Sequence, residues 1–229
     1  MKRLLLLSNS TIKGQPFLSW PEIYLTKFLG DGVKNVLFIP FAGVSLTYDE
    51  YFKLVSNRFL EMSLETCSAH QVDDIASAID SCDAIAVGGG NTWRLADELQ
   101  KGWLEPIREA VKEGKPYFGW SAGANVACPT IKTTNDMPIV QPQSFEALGL
   151  VDFQINPHYT EDSIPNHGGE TRPERIKEYV IVNPNSKVMG LPEGSLLQVE
   201  GSKVEFLGQG TLKLFSSTGI SSYASDAII

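Results

Sequence analysis

The sequence is poor in cysteine, in histidine and in positive charge. Its 229 residues include three cysteines and three histidines, and 27 acidic residues outnumber 19 lysines and arginines, giving a formal net charge of −8. Cys67, Cys82 and Cys128 form neither an even set nor a metal-type spacing, so we expect small buried thiols in a reducing compartment. An acidic chain offers no counter-charge to nucleic acid or to an anionic membrane surface, which favours a small molecule or peptide as the ligand.

The sequence also has no apolar run long enough to span a bilayer. The N-terminal MKRLLLLSNS starts with the positive charge typical of a signal peptide, but its apolar run, residues 4–7, is too short for export. We therefore expect a soluble cytoplasmic protein. No repeat, low-complexity tract or linker divides the chain, so we predict a single α/β domain over residues 1–229.

Short apolar runs alternate with helical patterns through the first half of the chain. The runs at 4–7 and 36–41 precede predicted helices over about 17–29 and 48–62, and three further units of the same kind follow. Five such units predict a doubly wound α/β fold whose mostly parallel sheet is covered on both faces. The chain from residue 187 to 215 is β-rich with glycine turns, which predicts antiparallel strands added to that sheet.

The stretch GWSAG, residues 119–123, matches the pattern G-x-S-x-G between an apolar strand and a small-residue helix. A nucleophilic serine on a sharp strand-to-helix turn needs neighbours without bulk, and the helix N-terminus beyond it offers N–H groups to an oxyanion. Ser121 is therefore a candidate nucleophile, and Ala122 a candidate oxyanion donor. The alternative is a tight turn that uses small residues only for packing.

A second glycine-rich turn, GGGN at residues 88–91, follows the apolar run AIAV. We predict that this strand neighbours the strand of Ser121, so that Gly89 or Gly90 could supply the second oxyanion donor. Neither the lysine of a P-loop nor the spacing of a dinucleotide site is present, which disfavours a phosphate cradle. A purely structural turn is the remaining alternative.

A serine nucleophile needs a general base, and the sequence offers His70, His158 and His167. His158 is our candidate because it follows the run FQIN and so lies at a predicted strand end, as Ser121 does. His70 precedes a helix, and His167 lies in the loop PNHGGE. The alternative for His158 is an imidazole that bonds only to backbone.

Two carboxylates compete to orient the base. Glu193 in LPEGS follows the predicted strand VMGL at the same sheet end as Ser121, and Asp136 in TTNDMP lies in the loop after the nucleophile helix. We favour Glu193 as the partner of His158. Asp136 is then a structural partner, or the anion that faces a substrate ammonium.

Arg172 lies in the first turn of a predicted helix, because Thr171 and Glu174 have capping-box spacing and Pro173 suits a helix start. A cation at the positive end of the helix dipole is locally unfavourable. An anionic ligand or a buried carboxylate would explain its position. The alternative is a solvated arginine.

Taken together, these motifs resemble the peptidase E family of bacterial α-aspartyl dipeptidases. The resemblance covers nearly the full chain and rests on NSTIKG, FIPFAGV, VGGGNT, GWSAGAN, CPTIKTTNDMPIV, INPHY, GETRPERI and GLPEG. It implies a cytoplasmic serine peptidase with a glutamine-amidotransferase-like, flavodoxin-like fold that hydrolyses dipeptides with an N-terminal aspartate. It further implies no metal or organic cofactor. We expect a small peptide with an N-terminal aspartate as the partner, no nucleic acid or membrane partner, and a monomer or small homo-oligomer.

By the same resemblance, Ser121 corresponds to the nucleophile, His158 to its base, and Glu193 or Asp136 to the third member. Arg172 corresponds to the residue that recognises the substrate β-carboxylate. Two alternatives stay open. One is a cyanophycinase-like peptidase that acts on an aspartate/arginine polymer and has a similar strand-to-helix turn, or nucleophile elbow, around its serine. The other is a non-catalytic binding protein on the same scaffold.

Overall fold

The computed structural model describes residues 1–163, 165–166 and 168–229. The helices in these ranges are α1 (Glu22–Leu29), α2 (Tyr48–Glu61), α3 (Ile75–Ser81), α4 (Thr92–Leu99), α5 (Leu104–Glu113), α6 (Ala122–Asn125) and α7 (Arg172–Val182). The strands are β1 (Arg3–Leu7), β2 (Asn35–Ile39), β3 (Glu65–Ser68), β4 (Ala84–Val87), β5 (Tyr117–Trp120), β6 (Gln154–Asn156), β7 (Val188–Gly190), β8 (Ser195–Glu200), β9 (Lys203–Gly208), β10 (Leu212–Ser216), β11 (Gly219–Tyr223) and β12 (Ala227–Ile228).

The larger sheet has the strand order β12-β9-β8-β1-β5-β4-β2-β3. The five strands from β1 to β3 in this order pair in parallel, and β8, β9 and β12 continue the sheet in antiparallel pairing. This confirms a mixed α/β fold with a large, mostly parallel sheet. The predicted neighbourhood of the glycine-turn strand and the serine strand is also confirmed, because β4 pairs with β5.

Helices cover both faces of this sheet. Along β1, Leu5 and Leu7 pack with α1 and α2 on one face, whereas Leu4 and Leu6 belong to the core that α3, α4 and α5 cover on the other. Successive side chains of a strand point to opposite faces, so a strand buried on both sides is apolar at every position. The uninterrupted leucine run at residues 4–7 follows from this arrangement.

The prediction for the C-terminal strands is partly wrong. β8, β9 and β12 add to the main sheet as expected, but β7, β10 and β11 form a second sheet with β6, in the order β11-β10-β7-β6. Within it β6 and β7 pair in parallel. A small separate core explains the division, since Val188 and Phe215 pack with Tyr159 and with Ile176 and Val180 of α7.

Helix boundaries differ modestly from the sequence predictions. The helix predicted from residue 17 begins only at Glu22, directly after Pro21. Helix α3 begins at Ile75, where Asp74 accepts the N–H groups of the first turn. The capping box predicted for α7 is present. Within the described ranges no helix is both long and apolar enough to cross a membrane.

The three cysteine side chains differ in burial, whereas the sequence predicted that all are buried. Cys82 and Cys128 are buried, but Cys67 is only half-buried. The Sγ atoms of Cys67 and Cys82 lie 3.1 Å apart, which places a thiol pair between β3 and the end of α3.

Candidate active site

Ser121 occupies the sharp turn between β5 and α6. Its backbone has φ 54° and ψ −112°, a conformation that a residue with a side chain rarely adopts and that the surrounding structure must impose. Its N–H donates to the carbonyl of Leu7 at 3.0 Å, and its carbonyl accepts from Ala124 and Asn125, each at 3.0 Å. The turn is therefore held from β1 on one side and from α6 on the other.

The two glycines of the G-x-S-x-G pattern are required by close backbone contacts. A Cβ atom on Gly119 would lie 2.5 Å from the carbonyl oxygen of Gly123, and one on Gly123 would lie 2.1 Å from the carbonyl oxygen of Val87. Helix α6 thus packs directly against the ends of β4 and β5. The small residues of the motif are therefore required by packing, and this close approach holds the backbone of the turn that carries Ser121.

His158 follows β6 and also has a left-handed backbone, with φ 53°. Its Nε2 lies 2.8 Å from Ser121 Oγ. Its backbone N–H donates to Ser8 Oγ at 2.9 Å, and that hydroxyl donates onward to the carbonyl of Leu191 at 2.8 Å. A hydroxyl at the end of β1 therefore ties the backbone of His158 to the segment that carries the carboxylate.

Glu193 lies in the turn between β7 and β8, and its Oε1 is 2.8 Å from His158 Nδ1. The turn is anchored by the N–H of Gly194, which donates to Asn9 Oδ1 at 2.9 Å. The pair is open to water, because the side chain of His158 is 39% exposed and that of Glu193 is 56% exposed. Ser121, His158 and Glu193 form one continuous line of hydrogen bonds.

Asp136 does not take part in this line. Its Oδ2 accepts from the N–H of Thr92 at 2.8 Å, from Thr92 Oγ1 at 2.6 Å and from Thr134 Oγ1 at 3.1 Å. The carboxylate therefore caps the N-terminus of α4, a position where the helix dipole favours negative charge. Of the two competing carboxylates, Glu193 is the one bonded to His158.

The glycine turn after β4 leaves donors available beside Ser121. Asn91 N–H donates to the carbonyl of Ala42 at 2.8 Å, whereas the N–H groups of Gly89 and Gly90 have no acceptor within the described chain. A Cβ atom on Gly89 would lie 3.1 Å from Ser121 Cβ, so this turn is in direct contact with the serine. Ala122 is the first residue of α6, where an N–H has no partner inside the helix.

A cavity of about 570 Å³ opens over these groups. Its lining includes Ser121, His158 and the two glycines of the turn, and Asp136 is the acidic side chain in its wall. Much of the remaining wall is apolar, formed by Phe17, Val44, Leu46, Leu54, Ile139, Tyr51 and Trp120. A concave, largely apolar cavity with a few polar groups is typical of a small-molecule site.

Arg172 lies in a neighbouring cavity of about 300 Å³, together with Arg175, and does not line the cavity over Ser121. Its guanidinium contacts Asn156 Oδ1 at 3.5 Å. Burial lowers the pKa of Arg172, and the nearby charge of Arg175 lowers that pKa further. No carboxylate forms an ion pair with Arg172 in the described part of the chain.

Of the other two histidines, the one that the structure describes is not brought to this site. His70 lies between Ser68 Oγ at 2.6 Å and Asp49 Oδ1 at 2.9 Å, near the start of α2. His167 lies outside the described residues. Among those described, no cluster of three or more His, Cys, Asp or Glu side chains could hold a metal ion.

Sequence reasoning missed three residues that build the site. Ser8 and Asn9 hold the His158 and Glu193 segments, and their signal was available, since two polar residues directly follow a buried strand at the functional end of the sheet. Tyr51, whose hydroxyl donates to the carbonyl of Gly89 at 3.1 Å, gave no signal, because an aromatic residue in an amphipathic helix usually marks the core.

Comparisons with known proteins identify the family of this chain. A model of peptidase family S51 matches residues 4–207. The chain is 49% identical over 215 residues to peptidase E of Nostoc sp., covering 93% of this chain and 89% of that protein, and 45% identical over 218 residues to peptidase E of Pasteurella multocida, covering 94% and 93%.

A solved structure of a peptidase from an acI-B1 actinobacterium has the same fold. It superposes with a TM-score of 0.72 at 16% identity and covers 100% of this chain and 96% of its own. At that identity the likeness concerns the fold alone. On the strength of the sequence matches, the chain belongs to peptidase family S51.

Proposed function

We propose that this protein is a serine peptidase that hydrolyses dipeptides with an N-terminal aspartate through an acyl-enzyme on Ser121. The observation that carries the proposal is the line of hydrogen bonds from Ser121 Oγ through the ring of His158 to Glu193, with 2.8 Å at each step. A nucleophile, a base within reach of its proton and a carboxylate on the far ring nitrogen are the parts that acyl transfer requires.

In the first step, His158 Nε2 accepts the proton of Ser121 while Oγ attacks the carbonyl carbon of the aspartyl residue. Glu193 accepts a hydrogen bond from Nδ1–H, which selects the tautomer with a lone pair on Nε2 and stabilises the imidazolium that forms. The strained backbone of Ser121 fixes the direction of its Cβ atom, and the residue lines the cavity in which the carbonyl would lie.

The negative charge that develops on the carbonyl oxygen needs donors already in position. We assign this role to the N–H of Ala122 together with that of Gly89 or Gly90, since those of the glycines have no acceptor in the described chain. Donors fixed in advance cost no reorganisation when the charge appears, and each is worth about 10²–10³ in rate.

His158 then returns its proton to the leaving amine, and the second amino acid departs. A water molecule takes its place, loses a proton to His158 Nε2 and attacks the acyl-enzyme. Collapse of the second tetrahedral intermediate releases aspartate and restores the serine. The exposure of His158 and Glu193 gives water direct access for this step.

For substrate recognition we propose two charged groups. Asp136 lines the cavity with Oδ1 not used by the hydrogen bonds of the described chain, which supports a role in binding the substrate ammonium. Arg172 is proposed to bind the side-chain carboxylate. It is a half-buried cation without a carboxylate partner among the described residues, and Thr160, which shares its cavity, is two residues from His158.

The peptidase E name of the relatives supports peptide hydrolysis, and the motif resemblance to α-aspartyl dipeptidases favours a dipeptide over an aspartate/arginine polymer. We also propose the glutamine-amidotransferase-like class for the fold. It is supported by an elbow at the carboxyl end of a central parallel strand with helices on both faces of the sheet. Amidotransferases place cysteine at the elbow, and serine here favours peptidase chemistry.

The test of the proposed function is Ser121→Ala, assayed by the release of aspartate from Asp-X dipeptides. We expect the activity to fall by about 10³ or more with an unchanged circular dichroism spectrum. Ser56→Ala is the matched control and should keep the wild-type rate, because Ser56 is a half-buried serine of α2 that bonds within its own helix and does not line the cavity. Wild-type turnover by Ser121→Ala would refute the nucleophile assignment.

The specificity proposal has its own test. Arg172→Ala should lower kcat/KM on Asp-X by about 10²-fold or more, because a carboxylate loses its bidentate partner, with little effect on slow Asn-X cleavage. Arg175→Ala, in the same cavity and next to Arg172, is the control. Equal wild-type rates on Asp-X and Asn-X would remove the reason for this assignment.

A further inference from the structure

We propose that Tyr51 is a positioning residue of the oxyanion hole, whose hydroxyl fixes the glycine turn relative to Ser121. The inference rests on the proposed acyl-transfer function and goes beyond its catalytic line. It concerns a residue of α2, about 70 positions from the serine, that would touch neither the substrate nor the reacting atoms with its hydroxyl.

The hydroxyl of Tyr51 bonds to two segments of the site, the one that carries Ser121 and the glycine turn. It accepts a hydrogen bond from Trp120 Nε1 at 3.0 Å and donates one to the carbonyl oxygen of Gly89 at 3.1 Å. Trp120 directly precedes Ser121, and Gly89 belongs to the turn that offers the second donor. One hydroxyl group therefore sets the spacing between the nucleophile and the glycine turn.

The hydrogen bond to the carbonyl of Gly89 also fixes the direction of the next N–H group, that of Gly90. The carbonyl of Gly89 and the N–H of Gly90 belong to one planar trans peptide, in which the two groups point in opposite directions. When the hydroxyl holds the carbonyl, it also fixes where the N–H of Gly90 points. That N–H has no acceptor in the described chain, so the hydrogen bond from Tyr51 is the one that holds this peptide group itself.

The three groups also form a chain of donors. Trp120 donates to Tyr51, Tyr51 donates to the Gly89 carbonyl, and the same peptide presents the N–H of Gly90. Hydrogen bonds in a chain polarise one another, which strengthens the last donor. Burial raises the pKa of the Tyr51 hydroxyl far above its ordinary value, so the hydroxyl keeps its proton and stays a donor.

The ring of Tyr51 is held rigidly, as a positioning role requires. The residue is 7% exposed, and its ring packs edge-to-face on Phe38 with centroids 5.1 Å apart. The turn is fitted to the hydroxyl, since a Cβ atom on Gly88 would lie 2.7 Å from the Tyr51 oxygen. Neither the ring nor the turn can shift far without disturbing the other.

The experiment compares Tyr51→Phe with Tyr48→Phe on Asp-X dipeptides. Tyr51→Phe keeps the packed ring and removes only the hydroxyl, so we expect kcat to fall about tenfold, less than the loss of a whole oxyanion donor, with KM nearly unchanged. Tyr48 lies on the same helix, and its hydroxyl accepts from Arg94 Nε at 3.2 Å, away from the glycine turn. Tyr48→Phe should keep the wild-type kcat.

A second measurement separates positioning from structure. The α-aminoboronate analogue of aspartate forms a tetrahedral adduct with a serine nucleophile, and its affinity should fall in Tyr51→Phe by the same factor as kcat. The affinity for the product aspartate should not change. A merely structural role would lower the melting temperature and leave the ratio of these two affinities as in the wild type, which would overturn the proposal.

Two further outcomes would also overturn it: a raised KM with an unchanged kcat, or equal losses in Tyr51→Phe and Tyr48→Phe. If Tyr51→Phe does not fold, Gly88→Ala gives the same test, because its Cβ displaces the hydroxyl, and it should lower kcat in the same way. Failure of the proposed function is distinguishable from failure of this proposal. In that case the wild-type protein would not cleave Asp-X dipeptides, or Ser121→Ala would still cleave them.

Discussion

Replacing Glu193 by Gln removes one negative charge from the hydrogen bond to His158 and keeps a side chain of the same shape. Two unit charges about 4 Å apart interact by about 1 kcal/mol in water and about 4 kcal/mol at an effective dielectric constant of 20. Because the two side chains are 39% and 56% exposed, the lower part of this range applies. A loss of about 1–2 kcal/mol of transition-state stabilisation corresponds to about a 5- to 30-fold lower kcat.

This expectation differs from that for a buried triad, where loss of the carboxylate costs about 10⁴ in kcat. The assay is the initial rate of Asp-X hydrolysis as a function of substrate concentration, with circular dichroism as a check on folding. Glu193→Ala should be slower than Glu193→Gln, because it also removes the acceptor that selects the tautomer of His158.

Asp136→Asn is the informative comparison, since Asp136 was the competing carboxylate. It should raise KM about 5- to 10-fold by weakening the hold on the substrate ammonium, and leave kcat within about threefold of the wild type. If Glu193→Gln kept the wild-type kcat while Asp136→Asn lost it, the assignment of Glu193 as the carboxylate that acts with His158 would be wrong.

Three further predictions concern stability and the thiols. Gly123→Ala should lower the free energy of unfolding in urea by about 3 kcal/mol and abolish activity, because its Cβ would lie 2.1 Å from a carbonyl of β4; an unchanged midpoint would refute the close contact. Mild peroxide should oxidise Cys67 and Cys82 to a mutual disulfide, seen by non-reducing peptide mapping, and spare the buried Cys128; loss of Cys128 first would contradict this. Hydrogen bonds from the Ser77 hydroxyl and from N–H groups in the first turn of α3 lower the pKa of Asp74 below its ordinary value of 3.8, so the melting-temperature gap between wild type and Asp74→Ala should be full above that ordinary value and shrink as the pH falls through the lowered pKa; a gap that widens there would refute it.

The first half of the fold and the principal site residues could be predicted because their signals are local. The leucine run of β1 and the glycines around Ser121 reflect burial on two faces and close backbone contact, which constrain residue type position by position. His158 and Glu193 could be paired because both follow predicted strands, and strand ends of one α/β sheet lie along a shared edge.

The remaining features depend on contacts that are distant in sequence. Nothing in the strand of Phe215 indicates that it pairs with β7 and packs under α7 instead of joining the main sheet. The capping box correctly predicted where the helix of Arg172 begins, but the cavity that receives its side chain depends on how α7 packs. Tyr51 resembles any aromatic core residue until Gly89 and Trp120 are brought to its hydroxyl.

The central claim is that Ser121 attacks the carbonyl of an N-terminal aspartyl residue. A diphenyl phosphonate analogue of aspartate tests it most directly, because such a reagent phosphonylates an activated serine and stops at the tetrahedral adduct. The account predicts stoichiometric inactivation, with the added mass on the peptide that contains Ser121, protection by Asp-X dipeptides and no label on Ser121→Ala. Inactivation with the label on another residue, or undiminished labelling of Ser121→Ala, would contradict it.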